Sequence, residues 1–231
     1  MELAEVMRTT AAVRDFTDEA VSDEQVRRIL DMARFAPSGG NRQGWRVIHV
    51  QDPPLRRTLR DLYLAGWYDY LAQGAAGLIP WSPLGDRAAE QAAIANAGTM
   101  AEQAAAGPGG FAEHLDRVPV LLVVLADLRT LAAVDRDFDR YTLVGGASVY
   151  PFVWNIVLAA RDAGLGGVIT TILTRQEPAV RDLLGIPDEC VLAAAVALGH
   201  PQKQPTRLRR RAVAEFTTVD RFDGPPFGSS A

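Results

Sequence analysis

The chain has 231 residues, of which 48% are hydrophobic, and a formal net charge of −4. That is enough apolar material for one packed domain, and the acidic balance removes any global case for nucleic-acid binding. A single cysteine, Cys190, excludes an intrachain disulfide; His49, His114 and His200 are scattered, and no CxxC or HExxH pattern suggests a metal site.

The first residues, MELAEVMRTT, lack the basic-then-apolar pattern of a secretory leader. No apolar run reaches the roughly 20 residues that span a bilayer. A soluble, cytoplasmic protein without membrane or nucleic-acid partners is therefore expected. A short helix ending near Arg8 leads to Arg14 and Phe16 across small residues. Ser22 with Gln25 three residues on forms a capping box, and Val26, Ile29, Leu30 and Ala33 follow at helical spacing. That helix should stop before Pro37, because the residue preceding a proline is driven out of the helical region.

Residues 36–45 form a polar, glycine-rich turn in which Ser38, Asn41 and Gln43 could read heteroatoms on a ring edge. A strand follows over 45–50, with His49 read as a packed or surface residue rather than a ligand. Leu55 to Tyr70 reads as a helix. Residues 72–110 are rich in Ala and Gly, and a helix is expected over Arg87–Ala106 between two loops, the region acting as a lid or insert. Trp67, Tyr68, Trp81 and Phe111 are candidate lid aromatics.

Val118–Ala126 is a continuous apolar run of the kind found in strands buried on both faces. Asp135, Asp137 and Asp139 alternate, but they lack the glycine and distal glutamate of a calcium loop and read as a solvated loop. Val144–Ala163 is apolar nearly all round, which suggests a helix buried in the core or between subunits. Gly164 is placed to end it. Gly164, Gly166 and Gly167 then permit a tight turn and a close ligand approach before Val168-Ile169-Thr170-Thr171, where the chain re-extends. Thr174 with Glu177 suggests another capping box, with Pro178 just inside a helix that closes at Gly185. Cys190–Leu198 is a second apolar strand. Arg207, Arg209, Arg210 and Arg211 form a basic cluster suited to a phosphate or to solvent. Residues 216–231 read as an extended C-terminal arm carrying Phe222 and Phe227. The order of elements implies a single α+β or mixed α/β domain over 1–231.

Four motifs in sequence now carry a resemblance. They are Val13-Arg14-Asp15-Phe16, Ala36-Pro37-Ser38-Gly39-Gly40-Asn41-Arg42-Gln43-Gly44-Trp45, Leu158-Ala159-Ala160 leading to Gly164-Leu165-Gly166, and Gly199-His200-Pro201 ahead of the arginine cluster. In this order the chain resembles the FMN-dependent nitroreductase superfamily, and the threonine pair looks like the turn of its iodotyrosine deiodinase branch. The resemblance implies a nitroreductase-like α+β fold with a central mixed β-sheet flanked by helices, in a domain-swapped homodimer. It implies FMN as cofactor and NAD(P)H as electron donor, with electron-poor aromatic substrates such as nitroaromatics or quinones reduced in a ping-pong cycle. Reductive dehalogenation, or flavin storage with little turnover, are the alternatives.

By the same resemblance Arg14 sits at the N1/O2 side of the flavin, and Pro37, Ser38 and Gly39 reach it from the other subunit, with Asn41 in the same binding turn. Ile169, Thr170 and Thr171 line the N5 edge, where a threonine hydroxyl would favour one-electron steps; these two threonines are the catalytic candidates. Arg210, with Arg209 or Arg211, holds the FMN phosphate. Thr10, Ala11 and Ala12 stand where the family pattern has two arginines and a serine, so Arg8 is the candidate to supply the missing charge. Trp154 marks the helix suited to the dimer interface, and the C-terminal arm would embrace the partner.

Overall fold

The two long apolar runs become neighbours at the centre of a four-stranded sheet. In the computed structural model, which describes residues 1–228, β2 (Val120–Asp127) pairs antiparallel with β4 (Cys190–Gly199). Strand β1 (Trp45–His49) lies outside β2 and β3 (Gly166–Thr170) outside β4, both antiparallel, so the order is β1-β2-β4-β3. The sheet is thus antiparallel rather than mixed; its parallel component is one bridge, Ala12 beside Gly167. Every residue of β2 is buried, because helices cover both faces. A strand covered twice reads as an unbroken apolar run whichever way its neighbours point.

Seven helices surround the sheet among the described residues: α1 (Leu3–Thr9), α2 (Asp23–Ala33), α3 (Pro53–Ala75), α4 (Arg87–Ile94), α5 (Ala97–Ala105), α6 (Tyr150–Asp162) and α7 (Glu177–Leu184). Side chains alternate cleanly along β2. Leu122 and Val124 join Ile29 of α2 and Phe152 and Ile156 of α6 on one face. Leu121 and Val123 join Leu59 and Tyr63 of α3 and Val180 of α7 on the other. Large buried side chains of this kind each contribute about 1.5–3 kcal/mol.

Several local signals act as expected. Ser22 Oγ accepts from Gln25 N–H at 3.3 Å, and Gln25 Oε1 accepts from Ser22 N–H at 2.8 Å, closing the capping box of α2. Gly164, at φ +81°, ends α6: Leu165 N–H donates to Ala160 C=O and Gly164 N–H to Arg161 C=O. This is the paired-bond termination that a left-handed residue permits.

Other expectations need correction. The 55–70 helix runs over Pro53–Ala75, because Asp52 accepts from Leu55 N–H and the prolines fall in its first turn. The single helix over 87–106 is two, α4 and α5, broken at Ala95 and Asn96. The helix over 144–163 is a 3₁₀ turn, Val144–Ser148, followed by α6, and its exposed Tyr150 and Trp154 exclude a helix enclosed within the core of one chain while agreeing with burial between subunits. Thr174 and Glu177 form no capping box. Thr174 lies inside the 3₁₀ turn Ile172–Gln176 and donates to Thr171 C=O, while Glu177 accepts from Leu192 N–H. The tail turns back instead of extending, with Thr218 bridged to Pro226; its residues 229–231 lie outside the described residues.

Asp135 is also not solvated. Its carboxylate is buried and accepts from Leu143 N–H, Val144 N–H and Arg140, while Asp137 and Asp139 are exposed. The Leu143 N–H bond, reinforced by Val144 and Arg140, outweighs desolvation and holds the Asp135 carboxyl below the usual range. The Arg129 guanidinium does the same for the buried Asp127. A carboxyl depressed in the folded state stabilises above its unfolded pKa of about 3.9, and that contribution is lost as pH falls through the lower folded value. Thermal unfolding followed against pH should therefore show a midpoint that falls steeply only in the acid range. Asp135→Asn should flatten that slope; an unchanged slope would remove Asp135 from the acid response.

Candidate functional site

Strand β3 carries the residues around which the site is built. Val13 N–H donates to Gly167 C=O, and a Cβ on Gly166 would fall 2.9 Å from the Val13 side chain. The absence of side chains there lets the segment bearing Arg14 lie against the strand. That segment crosses the end of the sheet, where Thr17 N–H donates to His200 C=O and Gln202 N–H donates to Asp15 C=O. Gln204 Nε2 donates to Thr9 C=O at 2.9 Å. The start of the arginine-bearing tail is thereby tied to the N-terminal segment.

Along β3 the side chains divide. Val168 and Thr170 face α3, whereas Ile169 packs with the α2 and α6 cluster on the opposite face. Thr170 is half-buried, and its Oγ1 lies 3.0 Å from the phenol oxygen of Tyr63 on α3. Gly66, one turn beyond Tyr63, allows the approach: a Cβ there would fall 2.9 Å from Ile172 Cγ2 in the 3₁₀ turn after β3. Thr171 starts that turn and is exposed. Burial pushes the Tyr63 phenol up, partly offset by its Thr170 bond and by the nearby charge of Arg14. Arg14, Tyr63 and Thr170 thus form one neighbourhood. Beside it lies a cleft of about 370 Å³ whose lining includes Arg14, Arg117 and His114 together with Asp15, Asp18 and Phe111. Phe111 meets Tyr63 edge-on, with centroids 6.4 Å apart.

Of the candidate lid aromatics, Trp67 and Trp81 belong to a row that also contains Tyr63 and Tyr70, and Phe111 meets the Tyr63 end of it. Tyr63, Trp67, Tyr70 and Trp81 follow at centroid distances of 6.2, 5.3 and 6.2 Å, and Arg175 caps Trp81 at 4.8 Å. Tyr68 instead donates to Glu113.

Pro37, Ser38, Gly39 and Asn41 are elsewhere. Gly39 N–H donates to Ser148 Oγ at 3.0 Å and Gln43 N–H to Ser38 Oγ at 3.0 Å. Gly40, Asn41 and Gln43 all have positive φ. Gly44 stands where the family pattern has proline; any Cβ there would collide with Thr130 Oγ1, which is locked onto Asp127 C=O. The turn leads into β1, whose Ile48 is level with Val123, Ala195 and Thr170 across the sheet. Three strand spacings separate these edges, about 14 Å. Within one chain the turn and Thr170 do not face a common ligand.

The arginines are uncommitted to carboxylates. Among the described residues, Arg8, Arg14, Arg209, Arg210 and Arg211 form no ion pair. Arg210 donates to Arg209 C=O. Thr10, where the family pattern has arginine, is buried and donates to Val6 C=O, so that position serves the end of α1. The cation on the neighbouring Thr9 is Arg161, which donates to Thr9 Oγ1 at 3.0 Å; Arg8 makes no such bond. Tyr63, Arg161 and Ser148 were not singled out from the sequence. Nothing in their local context distinguishes them, since each acts on a residue more than 100 positions away.

The donor set suits a flat, anionic ligand. Unpaired guanidinium groups would hold a phosphate, a half-buried hydroxyl would meet a ring heteroatom, and aromatic walls flank the space. A family model described as "Nitroreductase family" matches residues 7–200. A nitrobenzene nitroreductase of Ectopseudomonas oleovorans is 25% identical over 229 residues, 93% of this chain and 95% of that protein. Iodotyrosine deiodinase 1 of Mus musculus is 24% identical over 218 residues, 93% of this chain and 68% of that protein. The structure of an NADPH:FMN oxidoreductase from Vibrio harveyi, complexed with NAD⁺, shares the fold. Its TM-score is 0.63 at 21% identity, covering 95% of this chain and 77% of that one.

Proposed function

The chain belongs to the nitroreductase family, and from that premise we propose that it is an FMN-dependent oxidoreductase. NAD(P)H is the donor and an electron-poor aromatic such as a nitroaromatic or quinone the acceptor, the two using one cleft in alternation. FMN supplies the electron transfer itself, and the protein's part is binding, orientation and electrostatics. The observation that carries this is the convergence of Arg14, Thr170 and Tyr63 beside a cleft whose two arginines, Arg14 and Arg117, form no ion pair among the described residues.

Arg14 places positive charge where a reduced ring would be anionic. Thr170 presents a hydroxyl to the ring edge. Arg209, Arg210 and Arg211 hold the phosphate, which Thr10 and Ala12 are not equipped to bind. The separation of the Pro37–Asn41 turn from Thr170 supports a homodimer in which that turn comes from the partner subunit. Exposed Trp154 and Tyr150 on α6 suit the same interface. No helix among the described residues is long and apolar enough to cross a membrane. Reductive dehalogenation is the second reading, favoured by the held Thr170 hydroxyl and the deiodinase relative.

The test is an absorption spectrum of the purified protein, repeated anaerobically with NADPH and then NADH. Flavin bands that bleach with either donor are expected. Bands that persist with both would leave a flavin carrier, and their absence even after added FMN would overturn the assignment.

A further inference from the structure

We propose that the electron acceptor carries one negative charge beside its aromatic ring, and that Arg117 is the specificity-determining residue that reads this charge. The inference rests on the flavin reading above and deepens it by naming the acceptor's chemistry.

The charged cleft beside Arg14 has an apolar neighbour. A second cleft, of about 330 Å³, lies against the aromatic row, and Trp67, Leu71, Ala104 and Phe111 are among its walls. The two clefts share Gly109, Gly110 and Phe111. One thin wall therefore separates a charged compartment from an apolar one, and two of its three residues have no side chain. That wall is pinned in place. Glu113 accepts from Gly110 N–H at 2.7 Å and from Tyr68 O–H at 3.2 Å, and His114 Nε2 donates to Pro108 C=O at 2.9 Å. Gly109 turns the chain at φ +72°, and a Cβ there would fall 2.9 Å from Glu113 Cβ. Both compartments are thus preformed, which lowers the ordering cost of binding. A ligand that fills both joins an apolar ring to a polar group.

The charges select that polar group. Arg14, Arg117, Asp15 and Asp18 all line the charged compartment, and none forms an ion pair among the described residues. Arg14 is assigned to the flavin above, which leaves Arg117 as the free cation. Its backbone is fixed: it closes the 3₁₀ turn Leu115–Arg117, between buried Leu115 and Val118, and its N–H donates to His114 C=O at 2.9 Å. Its planar fork matches a carboxylate or sulfonate bidentately. A dianionic phosphate would bring a second negative charge towards Asp15 and Asp18, whereas a monoanion brings a single charge that Arg117 neutralises. The compartments together therefore suit an aromatic monoanion better than a nucleotide phosphate or an uncharged ring.

The test uses the oxidised, flavin-loaded protein without electron donor. Two probes of one shape, 2-naphthoate and 2-naphthamide, are titrated into it by calorimetry. The acid should bind about three- to tenfold tighter than the amide, the value of one charge-assisted bond at an exposed site. Arg117→Ala should bring the two affinities together. Arg117→Lys should restore part of the difference, since it keeps the charge and loses the fork. Ala104→Leu intrudes on the apolar cleft and should weaken acid and amide by the same factor, because the ring is common to both. Equal affinities in the unaltered protein, or a difference that survives Arg117→Ala, would overturn the proposal. So would an Ala104→Leu variant that binds both probes as before, since the ring would then lie elsewhere. Adenosine 2′,5′-bisphosphate probes the other source of anion, a donor phosphate: a larger loss for it than for naphthoate in Arg117→Ala would assign Arg117 to the donor and refute the acceptor assignment. Missing flavin bands count against the flavin reading itself, whereas equal binding of acid and amide by flavin-loaded protein counts against this inference alone.

Discussion

Phe152→Ala is expected to lower the melting temperature by about 6–20 °C. Phe152 is 3% exposed on α6, and its ring stacks on Trp45 of β1 at 4.7 Å with an interplanar angle of 3°. Truncating a buried phenylalanine costs about 3–5 kcal/mol, because the transfer energy of the ring is lost and the surrounding structure only partly collapses. In a domain of this size each kcal/mol moves the midpoint by roughly 2–4 °C. The stacked geometry adds about 0.5–1.5 kcal/mol of coupling specific to the pair. Phe152→Leu, which keeps most of the volume, should recover most of the loss. Thermal unfolding by circular dichroism reads both variants; a drop under about 2 °C for the alanine form would mean that α6 can close over the gap. The effect also reaches the site, because Trp45 ends the turn containing Ser38 and Asn41.

The second large effect concerns subunit composition. On the two-copy reading, Arg14→Ala and Ser38→Trp should each strip FMN from the homodimer, the first by removing a charge and the second by filling the space the partner must enter. Each variant should retain the wild-type melting temperature within a few degrees, since Arg14 makes no ion pair among the described residues and half-buried Ser38 loses only the solvent-exposed bond from Gln43 N–H. Co-expressed in equal amounts, they should regain roughly a quarter of the wild-type FMN content, because half of the dimers are mixed and each mixed dimer has one intact site of two. FMN content per protomer, measured by absorbance after denaturation, decides it. No recovery in the mixed preparation would place both residues on a site within one chain, or show that the turn takes no part.

Much of the local architecture was legible. The capping box at Ser22, the left-handed stop at Gly164 and the apolar runs of β2 and β4 each depend on residues within a few positions of one another. The family motifs were legible for the same reason, being contiguous. The sheet's direction was not, because burial on both faces removes the alternation that separates antiparallel strands from parallel ones. Strand β3 was read only as a re-extension, since two glycines and five residues carry too little pattern. Alanine-rich α4 and α5 read as one helix because alanine suits a helix wherever it stands, and nothing apolar marked the break.

The site divides along the same line. Arg14, the Pro37–Asn41 turn, Thr170 and the tail arginines were nameable from the sequence, as residue types suited to a phosphate and a ring edge. Which of them meet was not. Tyr63 finds Thr170 across 107 positions, Gly39 finds Ser148 across 109 and Arg161 finds Thr9 across 152. The chain's own periodicities and turn residues determined the helices and the apolar strands of a sheet buried on both faces, because those are short-range interactions between neighbours in the chain. Only the tertiary structure decided the strand order, the burial of Asp135 and the bond that holds Thr170. The strand order and the Thr170 bond require loop closure over many residues, and the Asp135 carboxylate, although its partners lie within nine positions, is buried only when the rest of the fold packs over its loop.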